Sequence, residues 1–111
     1  MASRTYRFTM TIEVEPDHVA YDDPEWAADA AAFTLIGSYG LNATYGQIEA
    51  LTPSGTAGER TYRFIITFEV NHDHVAFDDP EWAADAAHGA LTNEYGLATI
   101  YADLQLVDEQ S

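Results

Sequence analysis

From residue 6 to residue 14 the chain alternates without a break. Tyr6, Phe8, Met10, Ile12 and Val14 hold one parity, and Arg7, Thr9, Thr11 and Glu13 hold the other. A period of two sends successive side chains to opposite faces of a strand, so this stretch predicts a strand with one buried face. The pattern returns later, with Tyr62, Phe64, Ile66, Phe68 and Val70 set against Arg63, Ile65, Thr67 and Glu69. Near the end of the chain Ala98, Ile100, Ala102, Leu104 and Leu106 alternate with Thr99, Tyr101, Asp103 and Gln105, which predicts a further strand with the first set inward. Its counterpart is Asn42 to Leu51, where Tyr45 matches Tyr101.

Between these strands the period lengthens. Asp23-Pro24 and Asp79-Pro80 place an N-cap acceptor before a proline at the first helical position. Glu25 and Glu81 add negative charge in the first turn, where the helix dipole favours it. Each helix is predicted to run through WAADAA to about Tyr39 or Tyr95, with Gly40 and Gly96 just past its end. Trp26, Ala27, Ala30, Ala31, Thr34 and Leu35 form the expected buried face. Trp82, Ala83, Ala86, Ala87, Ala90 and Leu91 are their counterparts, and the alanines let each helix lie close to a sheet.

The elements recur because the chain is a tandem repeat. Residues 4–51 align with 60–107 at an offset of 56, with 27 of 48 positions identical, including HVA-(Tyr/Phe)-DDPEWAADAA in both. TPSGTAGE, residues 52–59, reads as a turn-rich joining loop, and the tail DEQS is expected to fray. The expectation is a single domain over 1–111 made of two βαβ units. Its predicted class is α+β: a ferredoxin-like βαββαβ sandwich with a four-stranded antiparallel sheet, order 4-1-3-2, and two helices on one face. Right-handed crossovers leave a gap between the first and second strands, which the third fills. If the pseudo-twofold axis passes near Met10 and Ile66, Arg7 faces Glu69 and Glu13 faces Arg63. Those would be two cross-strand ion pairs, each worth a few tenths to about 1 kcal/mol.

Charge changes the picture of function. Nineteen acidic residues face four arginines, at positions 4, 7, 60 and 63, with no lysine; the net charge is −15 and the pI is near 4.1. Such a field repels nucleic acid and anionic membrane and attracts cationic surfaces. Its plainer use is solubility, so charge alone names no partner. No stretch approaches the roughly 18 apolar residues of a membrane span. The start MASRTYRF runs straight into a strand pattern and shows no signal peptide, so the cytoplasm is the expected compartment. Without cysteine or lysine there are no disulfides, thiolate metal sites, thiol nucleophiles or Schiff bases.

Candidate chemistry is sparse. The DDPE segments offer oxygen ligands to a hard cation, but the spacing is not that of an EF-hand, and capping accounts for all but Asp22 and Asp78. His18 and His74, each preceded by Asp, resemble a general-base pair without a nucleophile; the expected role is a turn residue that packs or hydrogen-bonds locally. His72 and His88 have Pro16 and Ala32 as counterparts, so no histidine site is common to both repeats through them. Tyr45 and Tyr101, with Thr9, Thr11, Ile65 and Thr67, are expected to line the open sheet face, a composition suited to protein contact rather than to RNA stacking. Phe33 becomes Gly89 and Ala32 becomes His88, an asymmetry placed where a partner surface can differ between halves. No GxGxxG, P-loop, GxSxG or HExxH occurs.

The expected function is therefore a small acidic protein-interaction module, an inhibitor or nucleic-acid mimic docking on a basic surface of a partner protein. Asp22, Glu25, Asp29, Asp78, Glu81, Asp85, Tyr45 and Tyr101 are the expected partner-facing residues. No catalytic residue, metal or cofactor is called for, nor direct binding to nucleic acid or membrane. Homodimerisation through the open sheet face is compatible with the pattern. Two other classes stand beside this reading: a small dimeric enzyme or ligand binder using the helix–sheet pocket or open face, and an assembly subunit of a virus or mobile element.

Overall fold

The computed structural model describes residues 2–46, 48–51 and 58–110. Among the described residues there are five strands: β1 (Ser3–Val14), β2 (Asn42–Tyr45), β3 (Glu49–Ala50), β4 (Arg60–Asn71) and β5 (Ala98–Gln110). Two helices, α1 (Pro24–Phe33) and α2 (Pro80–Gly89), each follow a short 3-10 turn, at Val19–Tyr21 and Val75–Phe77. The result is a small α+β fold with an antiparallel sheet covered on one face by both helices. Among the described residues no helix is long and apolar enough to cross a membrane.

The sheet order is β2-β4-β1-β5, and β3 also pairs with β4. Four strands numbered 4-1-3-2 were expected; the count is five, because the stretch 42–51 is interrupted after Tyr45 and resumes as β3. The second repeat keeps the same stretch continuous and absorbs the irregularity as register shifts in β5 against β1, with Asp103 at φ 58°. Most of the expected joining loop, residues 52–57, lies outside the described residues. The tail does not fray over its described length: β5 pairs with β1 out to Ser3 and Gln110.

β1 and β4 pair along their whole length, with Thr9 opposite Ile65. Those two residues are counterparts in the repeat, so the pseudo-twofold axis passes between them rather than near Met10 and Ile66. Arg7 consequently faces Thr67 and Glu13 faces Thr61, and the expected cross-strand ion pairs do not form. A shift of two residues keeps every side chain on its own face, which is why alternation alone cannot choose between these registers.

One parity of β1 and β4 makes the core. Phe8, Met10, Ile12 and Val14 are fully buried, as are Ile66 and Phe68, with Phe64 and Val70 nearly so. Phe68 meets Tyr6 and Phe8 at ring-centroid distances of 5.6 and 6.0 Å. Ala27, Ala28 and Ala31, with Ala83, Ala84 and Ala87, lie fully buried beneath the helices. The buried face is thus turned slightly from the expected one: Ala28 and Ala32 are in, while Trp26 and Ala30 are only partly covered.

Both helices end through a π turn, Thr34–Ser38 and Ala90–Glu94. Gly40 and Gly96 then take φ of 68° and 67°, the left-handed conformation a C′ glycine supplies. The Leu41 and Leu97 amides reach back to the carbonyls of Leu35 and Leu91, at 2.9 and 3.0 Å, and the Gly40 amide to that of Ile36 at 3.2 Å. Each span is one residue longer than in a Schellman close, as the wider π turn requires. Leu97, anchored in the core, sets the phase of β5. Thr99 is therefore buried and Ile100 is 67% exposed, opposite to the expected parity.

Candidate functional site

The 3-10 turns before each helix are capped by histidines. The His18 and His74 Nδ1 atoms accept from the Ala20 and Ala76 amides at 3.0 Å. Asp23 and Asp79, expected to cap the helices through their side chains, make no such bond. An accepting Nδ1 fixes the neutral tautomer with the proton on Nε2, and that nitrogen donates across the repeat boundary. His18 Nε2 donates to the Tyr95 carbonyl and His74 Nε2 to the Tyr39 carbonyl, both at 2.7 Å. The expected local hydrogen bond is present, and beyond it each imidazole ties its own turn to the end of the other repeat's helix. Trp26 stacks edge-on against Tyr95, and Trp82 against Tyr39, at 4.7 Å in both cases.

A groove of about 530 Å³ opens beside His74, lined also by Ile36, Leu41, Glu69 and Asp73. Both ring nitrogens of His74 are already hydrogen-bonded to backbone, so it presents no free base to this groove. His72 lies edge-on to Phe77, and His88 bonds Thr99 through Nδ1, so the copy-two histidines do not converge.

The arginines make a second reciprocal set. Arg60 Nη1 donates to the Tyr21 carbonyl at 3.1 Å and to Asp22 Oδ1 at 2.9 Å, with its guanidinium 3.9 Å from the Tyr21 ring centroid. Arg4 does the same to Phe77 and Asp78, at 2.9 and 3.0 Å, stacked 4.0 Å from the Phe77 ring. Tyr62 and Tyr6 hydroxyls donate to the same two carbonyls, at 2.7 and 2.6 Å. Asp22 and Asp78, left over by the sequence reading, are therefore partners of the other repeat's arginine. Arg4 also pairs with Glu109 at 2.6 Å and Arg63 with Glu49 at 2.5 Å, while Arg7 donates to Gln105 at 3.5 Å. All four cations are thus engaged within the chain.

The remaining expected site residues gather in two clusters. Tyr101 donates to Asp85 at 2.7 Å, and Tyr45 bonds Asp29 in the equivalent way. Both tyrosines lie on the helix side of the sheet, against the core, and not on the open face as expected; the phase of β5 and its counterpart β2 accounts for this. The hydrogen bond to Asp29 comes first in pushing Tyr45 up to about 12, helped by desolvation and by the negative charge of Asp29, Glu25 and Asp23. Asp85, desolvation, Glu81 and Asp79 act alike on Tyr101, also to about 12. Glu25 and Asp29 stand one helical turn apart on one face, and so do Glu81 and Asp85. Among the described residues no three His, Asp or Glu side chains are placed to hold a metal ion. What each cluster offers is a local concentration of negative potential around a hydroxyl already committed to a carboxylate.

Beside the first cluster the two repeats differ. A shallow groove of about 280 Å³ runs between α1 and β2, lined by Asp29, Ala32, Phe33, Ile36 and residues 43–45 of β2. Phe33 is 67% exposed there. In the second repeat the matching positions are His88, Gly89, Thr92 and Thr99, and the Thr92 and Thr99 hydroxyls hydrogen-bond at 3.1 Å beside the His88–Thr99 contact. The sequence signalled this asymmetry at 32 and 33. It gave no sign of the cross-repeat ties beyond their presence in both copies.

No protein-family model matches the chain, and no curated protein matches it in sequence. Its shape does recur among solved structures. A hydantoinase/carbamoylase family amidase from Burkholderia ambifaria is 16% identical with a TM-score of 0.61, over 97% of this chain and 29% of the amidase. A dinuclear metal-binding peptidase of the M20 family from Bacillus subtilis is 17% identical with a TM-score of 0.54, over 90% of this chain and 25% of the peptidase. A protein described as unknown from Galdieria sulphuraria is 20% identical with a TM-score of 0.54, over 96% of this chain and 51% of its own. This chain thus spans between a quarter and about half of the solved chains it resembles. At these identities the likeness is one of fold.

Proposed function

We propose that this chain is a small acidic interaction module that docks on a basic surface of a partner protein, as an inhibitor or nucleic-acid mimic does. The observation that carries the reading is the engagement of all four arginines by the chain's own side chains and carbonyls. Arg4, Arg60 and Arg63 are ion-paired to the chain's own carboxylates and Arg7 meets the neutral Gln105, so a strongly negative field surrounds a molecule whose net charge is −15 with all four arginines counted and whose extents are 49 × 23 × 16 Å. Such a field steers a cationic partner and hinders anionic ones, and salt weakens it over a Debye length of about 8 Å at physiological ionic strength. Glu25, Asp29, Glu81 and Asp85 concentrate charge at two places related by the pseudo-twofold axis.

In finer detail we assign the fold to the ferredoxin-like class: with β3 set aside, each crossover leaves a gap that a strand of the other repeat occupies. We place the module in the cytoplasm, in keeping with a sequence free of cysteine.

The test is affinity capture from the native cell at low salt, with elution by a salt gradient, alongside a variant carrying Glu25→Gln, Asp29→Asn, Glu81→Gln and Asp85→Asn. The expected result is a basic protein partner whose retention falls steeply with salt and is weakened in the variant. Recovery of acidic partners only, or retention indifferent to salt, would overturn the proposal.

A further inference from the structure

We infer that the groove between α1 and the open edge of β2 receives an extended segment of the partner, added as a strand to β2, with an apolar side chain laid against Phe33 and Ile36 and basic side chains beside Asp29 and Glu25. This deepens the acidic-module reading and rests on it.

Backbone geometry supplies the first part. Among the described residues β2 ends the sheet and pairs only with β4. The Gly46 amide donates to the Ile65 carbonyl at 2.8 Å, so by alternation Asn42 and Thr44 also turn their polar backbone groups toward β4. Ala43 and Tyr45 turn theirs outward, to the free edge. The side chains of the same two residues line the groove. A strand docking there satisfies the outward amides and carbonyls and places alternate side chains over the groove, the arrangement used in strand addition.

The second repeat supplies an internal control. It keeps the fold with Gly89 in place of Phe33 and Thr92 in place of Ile36, and it fills the equivalent space with the hydrogen-bonded His88, Thr92 and Thr99. The fold therefore does not require an apolar lining here. Phe33 and Ile36 remain 67% and 43% exposed, so they are not core residues that chance to show at the surface. Charge selects the occupant: the groove is lined by one carboxylate, Asp29, with Glu25 and Asp23 bearing on the same tyrosine, and by no cation. An apolar strand flanked by arginine or lysine matches both surfaces.

The experiment selects a random peptide library displayed on phage against the intact chain, then measures synthetic winners by fluorescence anisotropy. The test variant is Phe33→Gly with Ile36→Thr, which installs the second repeat's own residues and should retain the wild-type melting behaviour. Expected winners carry apolar and basic residues at positions of the same parity, so that both face the groove, bind the variant at least about tenfold more weakly, and lose binding when N-methylated at alternate amides in one phase only. Winners that are unmoved by Phe33→Gly/Ile36→Thr but weakened by Glu81→Gln/Asp85→Asn leave the acidic-module reading standing and overturn the groove. So does failure to enrich any peptide. A wild-type chain that sediments as a dimer and becomes monomeric in the test variant puts a second copy in the groove and also overturns the proposal.

Discussion

His18 and Tyr95 belong to different repeats, yet the His18 imidazole donates to the Tyr95 carbonyl at 2.7 Å while its other nitrogen caps the turn at Ala20. His74 and Tyr39 repeat the arrangement with the roles of the halves exchanged. Removing either ring leaves one amide and one carbonyl without a partner at a partly buried site. His18→Ala and His74→Ala should each destabilise the fold by about 1–3 kcal/mol. Because the two sites share no partner, the double variant should lose roughly the sum. Urea denaturation of the four species measures this; a double variant no worse than either single one would mean that the ties are not independent.

An aromatic cluster lies in the core where β1 pairs with β4. Phe68 is fully buried against the rings of Tyr6 and Phe8. Phe68→Ala should cost about 3–5 kcal/mol, read as a lower denaturation midpoint with little change in slope.

The two carboxylate-bound tyrosines should ionise late. Both are pushed up to about 12, so the folded chain favours the protonated phenol relative to the unfolded chain, in which tyrosine ionises near its ordinary value of about 10. Their contribution to stability is therefore complete below about pH 10 and is lost as pH rises through about 12. Alkaline titration of tyrosinate absorbance should show two of the seven tyrosines lagging behind. In Asp85→Asn one of the two should move back toward the ordinary value, and a titration curve identical to wild type would contradict the assignment.

Gly40 and Gly96 stand at φ near +68° with open space where a Cβ would project. An alanine there meets no neighbour, so its cost is the backbone conformation alone, about 1–2 kcal/mol at each position. Thermal unfolding of Gly40→Ala and Gly96→Ala should show similar losses, since the two sites are equivalent.

The strands of the core were legible because, past Arg4 and Arg60 at their starts, one parity of β1 and β4 is apolar and the other is polar apart from Ile65. β5 was not. In LATIYADLQL both parities hold apolar residues, and the irregularity at Asp103 changes the phase partway, so counting could not decide whether Thr99 or Ile100 points inward. Register between β1 and β4 was hidden for a different reason: a slip of two preserves every facing, and the arginines and glutamates suggested a pairing that Thr9 and Ile65 do not allow. At the candidate site, the helical spacing of Glu25 and Asp29 was readable, but their nearness to Tyr45 was not, because the phase of β2 set that tyrosine on the opposite face from the expected one. The partners of Asp22 and His18 were not, because they lie in the other repeat at no fixed distance along the chain.

The reciprocal ties also bear on how the two halves have changed. Arg4 grips the turn before α2, Arg60 grips the turn before α1, and each histidine closes on the other half's helix end. A substitution at any of these positions must suit a partner encoded elsewhere, so the two copies are constrained together as a lock and key would be. Positions outside the ties, such as Phe33 and Gly89, answer only to their own half. The copies differ in the core as well, at Met10 and Ile66 and at Ile12 and Phe68, but at the flank of α1 the symmetric frame leaves one side free to carry a surface the other lacks.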